Sequence, residues 1–266
     1  MAGQKSGIAY KIMKQIPNLF TLLNLFFGCC AVVFVLQNGI TIASSDDGAQ
    51  FVIMPEEIWM ASLFIALAAM VDFLDGFVAR LFKAASEMGK QLDSLADLVS
   101  FGVAPSLIIY HFLRLSYARE ENGLDVSWWL LTPAFIIACA AAYRLAKFNL
   151  DTRQQFGFRG IPSPANGLLI ASLPLIYWHS GSETLINLFQ NKWLWYALII
   201  VLSWLMVSDL PLMALKFKDF SIKSNLPKII LLLVAVVAAI LWKWMAVPLV
   251  FVAYIALSLA LKNKTT

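Results

Sequence analysis

Charge is scarce in this 266-residue chain: Asp, Glu, Lys and Arg together make up 14% of it. Ordinary soluble domains carry about 25% charged residues and are roughly 45–50% apolar. Here 61% of the residues are hydrophobic and the mean hydropathy is +0.77. A soluble protein so composed could not cover its surface with polar groups. The apolar residues also fall in long blocks, so the solvent for most of the chain is lipid. Cysteine is limited to Cys29, Cys30 and Cys139, all inside apolar blocks. Adjacent cysteines are poor disulfide partners, and no metal-type spacing occurs. No phosphate-binding glycine loop follows a strand. The basic residues are dispersed instead of being interleaved with aromatics, which argues against nucleic acid as a partner. Residues 1–7 are polar and no small-residue cleavage site follows them, so the first span is expected to serve as its own uncleaved signal.

What is abundant is span-length apolar sequence. A membrane-crossing helix needs about 20 such residues, and eight candidates are read, at residues 19–36, 58–82, 92–113, 128–146, 167–178, 193–212, 227–244 and 246–261. The fifth is short and is expected to begin nearer Pro164. The last two are separated only by a tight turn and could form one broken helix, leaving seven spans. With eight spans, one side receives both termini and all but four of the 20 Lys and Arg; only Arg114, Arg119, Lys192 and Lys243 lie opposite. The positive-inside rule then places both termini in the cytoplasm. The expected fold is therefore an all-α integral membrane protein, a polytopic bundle of about eight helices forming one domain over residues 1–266. Residues 1–16 read as a cytoplasmic amphipathic lead-in lying on anionic lipid, with a disordered tail as the alternative. The nine tryptophans fall mainly near span ends, as an interfacial belt requires.

Carboxylates stand where lipid should be. Asp72 and Asp75 lie in the second span, Asp93 and Asp97 in the third. Each carboxylate at the membrane centre costs on the order of 3 kcal/mol, so four of them must face the bundle interior. Spacings of three and four residues put each pair on one helical face. Both pairs are nearly equidistant from the short hairpin around residues 83–89, so in antiparallel helices they reach the same depth. Four carboxylates cannot all stay ionised in low dielectric without cations, and hard oxygen ligands select Mg²⁺, Mn²⁺ or Ca²⁺ over zinc. The only histidines, His111 and His179, lie near the opposite ends of their spans. Two divalent ions bridged by carboxylates are a recurring device of phosphoryl chemistry. Gly76 and Ala79 would let a ligand approach the backbone closely, and Arg80 stands at the membrane edge for a phosphate. Protonated acids acting as helix–helix glue, or a cation pathway, are the competing readings. The absence of further acids deep in spans five to eight, Asp209 aside, weighs against a path across the membrane.

The run Asp72-x2-Asp75-Gly76-x2-Ala79-Arg80-x8-Gly89-x3-Asp93-x3-Asp97 resembles the signature of the CDP-alcohol phosphatidyltransferases in every fixed position. This resemblance implies that residues 58–113 form a helical hairpin carrying the metal and CDP site. Asp72, Asp75, Asp93 and Asp97 would hold two divalent cations, Mg²⁺ or Mn²⁺. Asp97 would be the general base that deprotonates an acceptor hydroxyl for attack on the β-phosphorus of CDP-diacylglycerol, expelling CMP. Gly76, Ala79, Arg80, Ser86 and Gly89 would contact the CDP-lipid head. Asn18 and Thr21 resemble the family's Asn-x-x-Thr element facing the nucleotide, although Pro17 and Asn18 also suit the start of a helix.

Further runs are similar to the phosphatidylserine synthase branch: residues 91–105, then Arg144-Leu-Ala-Lys147-Phe-Asn149 and Phe158-Arg159-Gly160-Ile-Pro162-Ser163-Pro164-Ala165. The implied acceptor is L-serine, with glycerol 3-phosphate or an inositol phosphate as alternatives. A zwitterionic acceptor needs a cation for its carboxylate and an acceptor or π face for its ammonium. Arg144, Lys147, Arg153 and Arg159 enter from the side of the metal site; Arg144, Lys147 and Arg159, with Ser163, are the candidate acceptor contacts, and each base taken singly reads first as a topology signal. Gly160, Pro162 and Pro164 suggest either a re-entrant start to the fifth span or a plain loop. The resemblance also implies membrane lipid as partner, a homodimer, and a bacterial inner (plasma) membrane with the site facing the cytoplasm.

Overall fold

The structure, a computed structural model, describes residues 2–44, 50–82, 86–118, 123–150, 158–213 and 222–260. Each of the eight segments read from the sequence reappears as a helix or a pair of helices, with altered ends. Helix α1 (Ala2–Gln37) is continuous through Pro17, so the expected lead-in and the first span form one helix. A hairpin of β1 (Thr41–Ser44) and β2 (Gln50–Ile53), pairing Thr41 with Ile53, follows. Helix α2 (Trp59–Leu81) then returns along α1 and packs against it over much of its length.

The third span is one residue run with a change of winding inside it. Helix α3 (Glu87–Asp97) begins at Ser86, whose hydroxyl accepts the Gly89 N–H at 3.0 Å as an N-cap. From Leu98 to Val103 the chain winds as a π-helix, and α4 (Ala104–Tyr117) resumes α geometry with Pro105 in its first turn. The span thus covers Glu87–Tyr117, longer at both ends than the expected 92–113. The fourth span joins α5 (Trp128–Leu131), a 3₁₀ turn and α6 (Ile136–Leu150).

Helix α7 runs from Ser163 to His179. Gly160, in the left-handed region at φ 70°, donates its N–H to the Leu210 carbonyl, and Pro162 leads in extended. A Cβ at Gly160 would lie 2.7 Å from the carbonyl oxygens of Met206 and Ser208, so only glycine fits. A short bridge between β3 (Phe158–Arg159) and β4 (Pro211–Leu212) closes that loop. Helix α8 (Glu183–Phe189) and helix α9 (Lys192–Val207) meet at a 69° bend. The sixth span ends at Val207, not at residue 212. Helices α10 (Ile222–Trp242) and α11 (Ala246–Ala260) are joined by a 3₁₀ turn in which Lys243 takes φ 48°. Leu231 and Tyr254 share one small core cluster; in a straight helix they would be about 34 Å apart, so the two helices double back as a hairpin.

Among the described residues, five helical runs can cross a membrane by length and hydropathy, or six if the bent α8–α9 pair is one span; the α10–α11 run counts once in that tally and α7 is too short to enter it. The protein is an all-α integral membrane protein, with one small hairpin and one strand bridge among the described residues.

The main core draws on α1, α2, α4, α6, α7 and α9. Trp195 belongs to it and not to the interfacial belt: it is fully buried, stacks on Phe112 at 4.6 Å and donates Nε1–H to the Phe189 carbonyl at 2.7 Å. Seven of the other tryptophans are exposed, as a belt requires. Three consecutive π-helix residues, Ser100, Phe101 and Gly102, are all buried. That is possible because neighbouring helices meet them with small residues. Gly28 of α1 faces Ser100, Gly167 of α7 faces Phe101, and Gly102 abuts Ala138 and Ala141 of α6.

A Cβ at Gly28 would sit 2.3 Å from Ser100 Oγ and 3.0 Å from its Cα. Gly28→Ala is expected to destabilise the protein by about 1–3 kcal/mol through overpacking. Thermal unfolding in detergent checks this, and Ser100→Ala in the same chain should restore part of the loss.

Candidate active site

The site is built on the turn between α2 and α3. Asp75 lies six residues before the last residue of α2, and Asp93 six residues after the first of α3. The two pairs of acids therefore reach matching depths. Asp72, Asp75 and Asp93 each bring one carboxylate oxygen within 4.8 Å of the others, and Asp97, one turn after Asp93 on α3, is their electrostatic neighbour. Asp75 and Asp97 are buried. On the opposite face of α2, Phe73 and Phe77 are 70% and 51% exposed, which is where lipid lies. The helix is thus amphipathic in the inverted sense that a membrane demands, with acids inward and aromatics outward.

Helix α1 supplies the donors. Its Asn18, Thr21 and Asn24 recur every three residues and so share one face. Thr21 Oγ1 is 2.8 Å from Asp75 Oδ2 and 3.1 Å from the Pro17 carbonyl, its alternative acceptor. Asn24 Nδ2 donates to Asp97 Oδ1 at 3.1 Å, and its own backbone carbonyl accepts Ser100 Oγ at 3.1 Å. Asn24 was absent from the residues picked out in the sequence. Its signal in the sequence is an amide in an apolar span, in step with Asn18 and Thr21; the structure buries it fully. Asn18 Nδ2 donates to Gln15 Oε1 at 2.9 Å, and a Cβ at Gly89 would come 3.0 Å from Asn18 Oδ1. Gly89 therefore lets α1 and α3 approach.

The remaining expected nucleotide contacts lie around the same turn. Gly76 and Ala79 are half-buried and Arg80 is exposed, with an Nη1 3.6 Å from where a Gly76 Cβ would stand. Ser86 is exposed and its hydroxyl caps α3.

The acceptor candidates divide. Arg144 on α6 and Ser163 at the start of α7 are both buried, and Arg144 Nη1 donates to Ser163 Oγ at 3.0 Å. Arg144 is an electrostatic neighbour of Asp97, and its guanidinium lies 5.8 Å from the Phe148 ring centre. Lys147 is turned elsewhere: its Nζ is 2.9 Å from Asp209 Oδ1 and 3.3 Å from the Val207 carbonyl. The Arg159 side chain lies outside the described residues. A tie not foreseen from sequence joins α3 to α6: Lys90 Nζ donates to the Asn149 carbonyl at 2.8 Å, and Asn149 Nδ2 donates to Ser94 Oγ at 2.7 Å. Ser94 lies between Asp93 and Asp97, so Asn149 helps fix the register of both.

Converging carboxylates of this kind can hold divalent cations. The donor set is all oxygen, and Asp93 Oδ1 is buried without a hydrogen-bond partner. A buried carboxylate oxygen left so is costly unless a cation meets it.

Residues 14–203 match the family model described as CDP-alcohol phosphatidyltransferase. Among curated proteins, the chain is 34% identical over 223 residues to the CDP-diacylglycerol–serine O-phosphatidyltransferase of Helicobacter pylori strain 26695, covering 82% of this chain and 78% of that protein. It is 34% identical over 172 residues to the protein so named in Bacillus subtilis, covering 62% and 78% respectively. The Mycobacterium tuberculosis H37Rv protein of the same name is 27% identical over 263 residues, with 96% and 80% covered.

Adding Mn²⁺ at about 100 times its dissociation constant is expected to stabilise the purified protein by about 2.7 kcal/mol through linkage, read as a raised unfolding temperature. Asp72→Asn, Asp75→Asn and Asp93→Asn should each abolish most of that rise.

Proposed function

Because the chain belongs to the CDP-alcohol phosphatidyltransferase family, we propose that it transfers the phosphatidyl group of CDP-diacylglycerol to the hydroxyl of L-serine, releasing CMP. The observation that carries the reading is the meeting of Asp72, Asp75 and Asp93 within 4.8 Å, with Asp97 beside them. Asp97 in turn stands between the Asn24 amide and Arg144. Asp72, Asp75, Asp93 and Asp97 would hold two divalent cations, Mg²⁺ or Mn²⁺. When bound, such ions neutralise the diphosphate and the charge developing at the reacting phosphorus.

The other work falls to this chain's own groups. Asp97 takes the proton of the serine hydroxyl as the new oxygen–phosphorus bond forms and the bond to CMP breaks. Asn24 holds the Asp97 carboxylate through Oδ1 and so orients it for that proton transfer. Thr21 holds Asp75 through Oδ2. Arg80, beside the small residues Gly76 and Ala79, is placed for the CDP phosphates at the membrane edge, with Asn18, Ser86 and Gly89 lining the nucleotide side of the turn. Arg144 and Ser163 meet the acceptor carboxylate, while Lys147 is held by Asp209.

The membrane setting belongs to the same proposal: eight crossings, both termini cytoplasmic, a bacterial inner membrane and a homodimer. The distribution of Lys and Arg favours the orientation, and the α10–α11 hairpin favours an even count. A cation transporter would use the same carboxylates, but Asp209 lies beyond the end of α9 and pairs with Lys147. It therefore offers no step on a route across the bundle.

Purified protein given CDP-diacylglycerol and Mg²⁺ or Mn²⁺ should release CMP with serine, and should fail with chelator. Little release is expected with glycerol 3-phosphate, inositol phosphate or no acceptor. Asp97→Asn should lower kcat by about 10²- to 10⁴-fold, the range of general-base catalysis, with KM for CDP-diacylglycerol little changed. Release with another acceptor would move the protein to a sister branch, and no release under any condition would overturn the enzyme reading. Reporter fusions at the C-terminus should report a cytoplasmic location.

A further inference from the structure

Asn166 is fully buried, yet neither Nδ2 nor Oδ1 of its side chain has a hydrogen-bond partner among the described residues. An amide left so costs about 1–3 kcal/mol for each unmet group, and native proteins rarely leave both ends bare. Asn166 follows Ser163 by three positions on α7, so the two side chains share the face that meets Arg144. Arg144 itself has a buried Nε–H without a partner, and Asn24 has a buried Oδ1 without one. Contacts link these groups in a line. Asn24 is bonded to Asp97, Asp97 neighbours Arg144, and Arg144 is bonded to Ser163, one turn before Asn166. The next residue, Gly167, lies against Phe101 of the π-segment, where a Cβ would come within 3.0 Å. Helix α7 is therefore packed, at the level of Asn166, against the span that carries Asp97. Unmet hydrogen bonding is concentrated on the acceptor side of the base.

We propose that Asn166 is a specificity-determining residue, whose side-chain oxygen accepts from the ammonium of an α-amino acid acceptor while Arg144 takes the carboxylate. The two residues stand on different helices, Arg144 on α6 and Asn166 on α7, one turn beyond the Ser163 that Arg144 bonds, so separate groups are available for the two charges of a zwitterion. A site built to bond an amine rejects the analogue that lacks it, because its buried polar group is then left unpaired. Glycerol 3-phosphate has hydroxyls but no ammonium to give the Asn166 oxygen a charge-assisted hydrogen bond, so the same residue favours the amino acid over it. This inference rests on the serine reading above. It differs from that reading in the residue it names and in the measurement that decides it.

The test compares L-serine with 3-hydroxypropionate, which keeps the hydroxyl and carboxylate and lacks the amine, in wild type, Asn166→Asp and Asn166→Leu. Wild type should favour serine in kcat/KM by at least 100-fold. Asn166→Asp, which keeps the oxygen, should retain that preference within about threefold. Asn166→Leu, of similar size, should raise KM for serine at least tenfold and reduce the preference at least tenfold, with KM for CDP-diacylglycerol unchanged. If Asn166→Leu does not fold, Asn166→Ser, which shortens the side chain, should show the same loss. An unchanged preference in Leu and Ser variants would overturn the proposal, as would equal rises in KM for both substrates. Failure of the wild type to use serine at all would overturn the parent reading, and this one with it.

Discussion

Four carboxylates cannot share a few ångströms of low dielectric unless positive charge or donated hydrogen bonds reach every one of them. Much of the bundle can be understood as the supply of those partners. Helix α1 runs alongside α2 and α3 with Thr21 and Asn24 aimed at Asp75 and Asp97. Helix α6 brings Arg144 to the far side of Asp97 and sends Asn149 back to steady α3. Each of these polar residues would be a liability in lipid. They are tolerable because they are turned toward one another and because apolar side chains such as Phe73 and Phe77 cover the outward surface.

Small residues make that arrangement possible. Gly28, Gly89, Gly102 and Gly167 stand where helices approach the third span, and at each a methyl group would press on a neighbour. In a membrane the association of helices draws on close packing and buried hydrogen bonds more than on exclusion of water. Glycines that permit approach are therefore part of what holds the site together. The π-segment fits this logic. Its i→i+5 winding, a feature often found at functional sites, follows directly after Asp97 and puts Ser100, Phe101 and Gly102 all in protein surroundings.

The sequence made the carboxylate centre legible because intramembrane acids have no ordinary reason to exist, and because a spacing of three or four residues maps directly onto a helical face. The matching depth of Asp75 and Asp93 followed from symmetry about the hairpin. Asn24 continues the three-residue step of Asn18 and Thr21, whereas Asn166 is a single amide in an apolar run with no period of its own; its meaning comes from which helix lies opposite. Trp195 was read as an interfacial anchor since it sits near a span end, but the 69° bend between α8 and α9 turns it into the core. Neither the bend nor the π winding has a residue signature strong enough to override an α-helical pattern. Lys147 shows the limit of reading charge by position, because Asp209, far along the chain, holds it away from Asp97.

Only 17% of the most apolar stretch in the run from Asn225 to Ala260 is buried, against 56% for the span carrying Asp93 and Asp97. The region matched by the family ends at residue 203, before that hairpin begins. Synthesis runs from the N-terminus, so α1 to α7, which carry every group of the site, are made and can assemble while α10 and α11 are still untranslated. The hairpin is then the last piece to join, arriving at a bundle whose costly charges have already been satisfied.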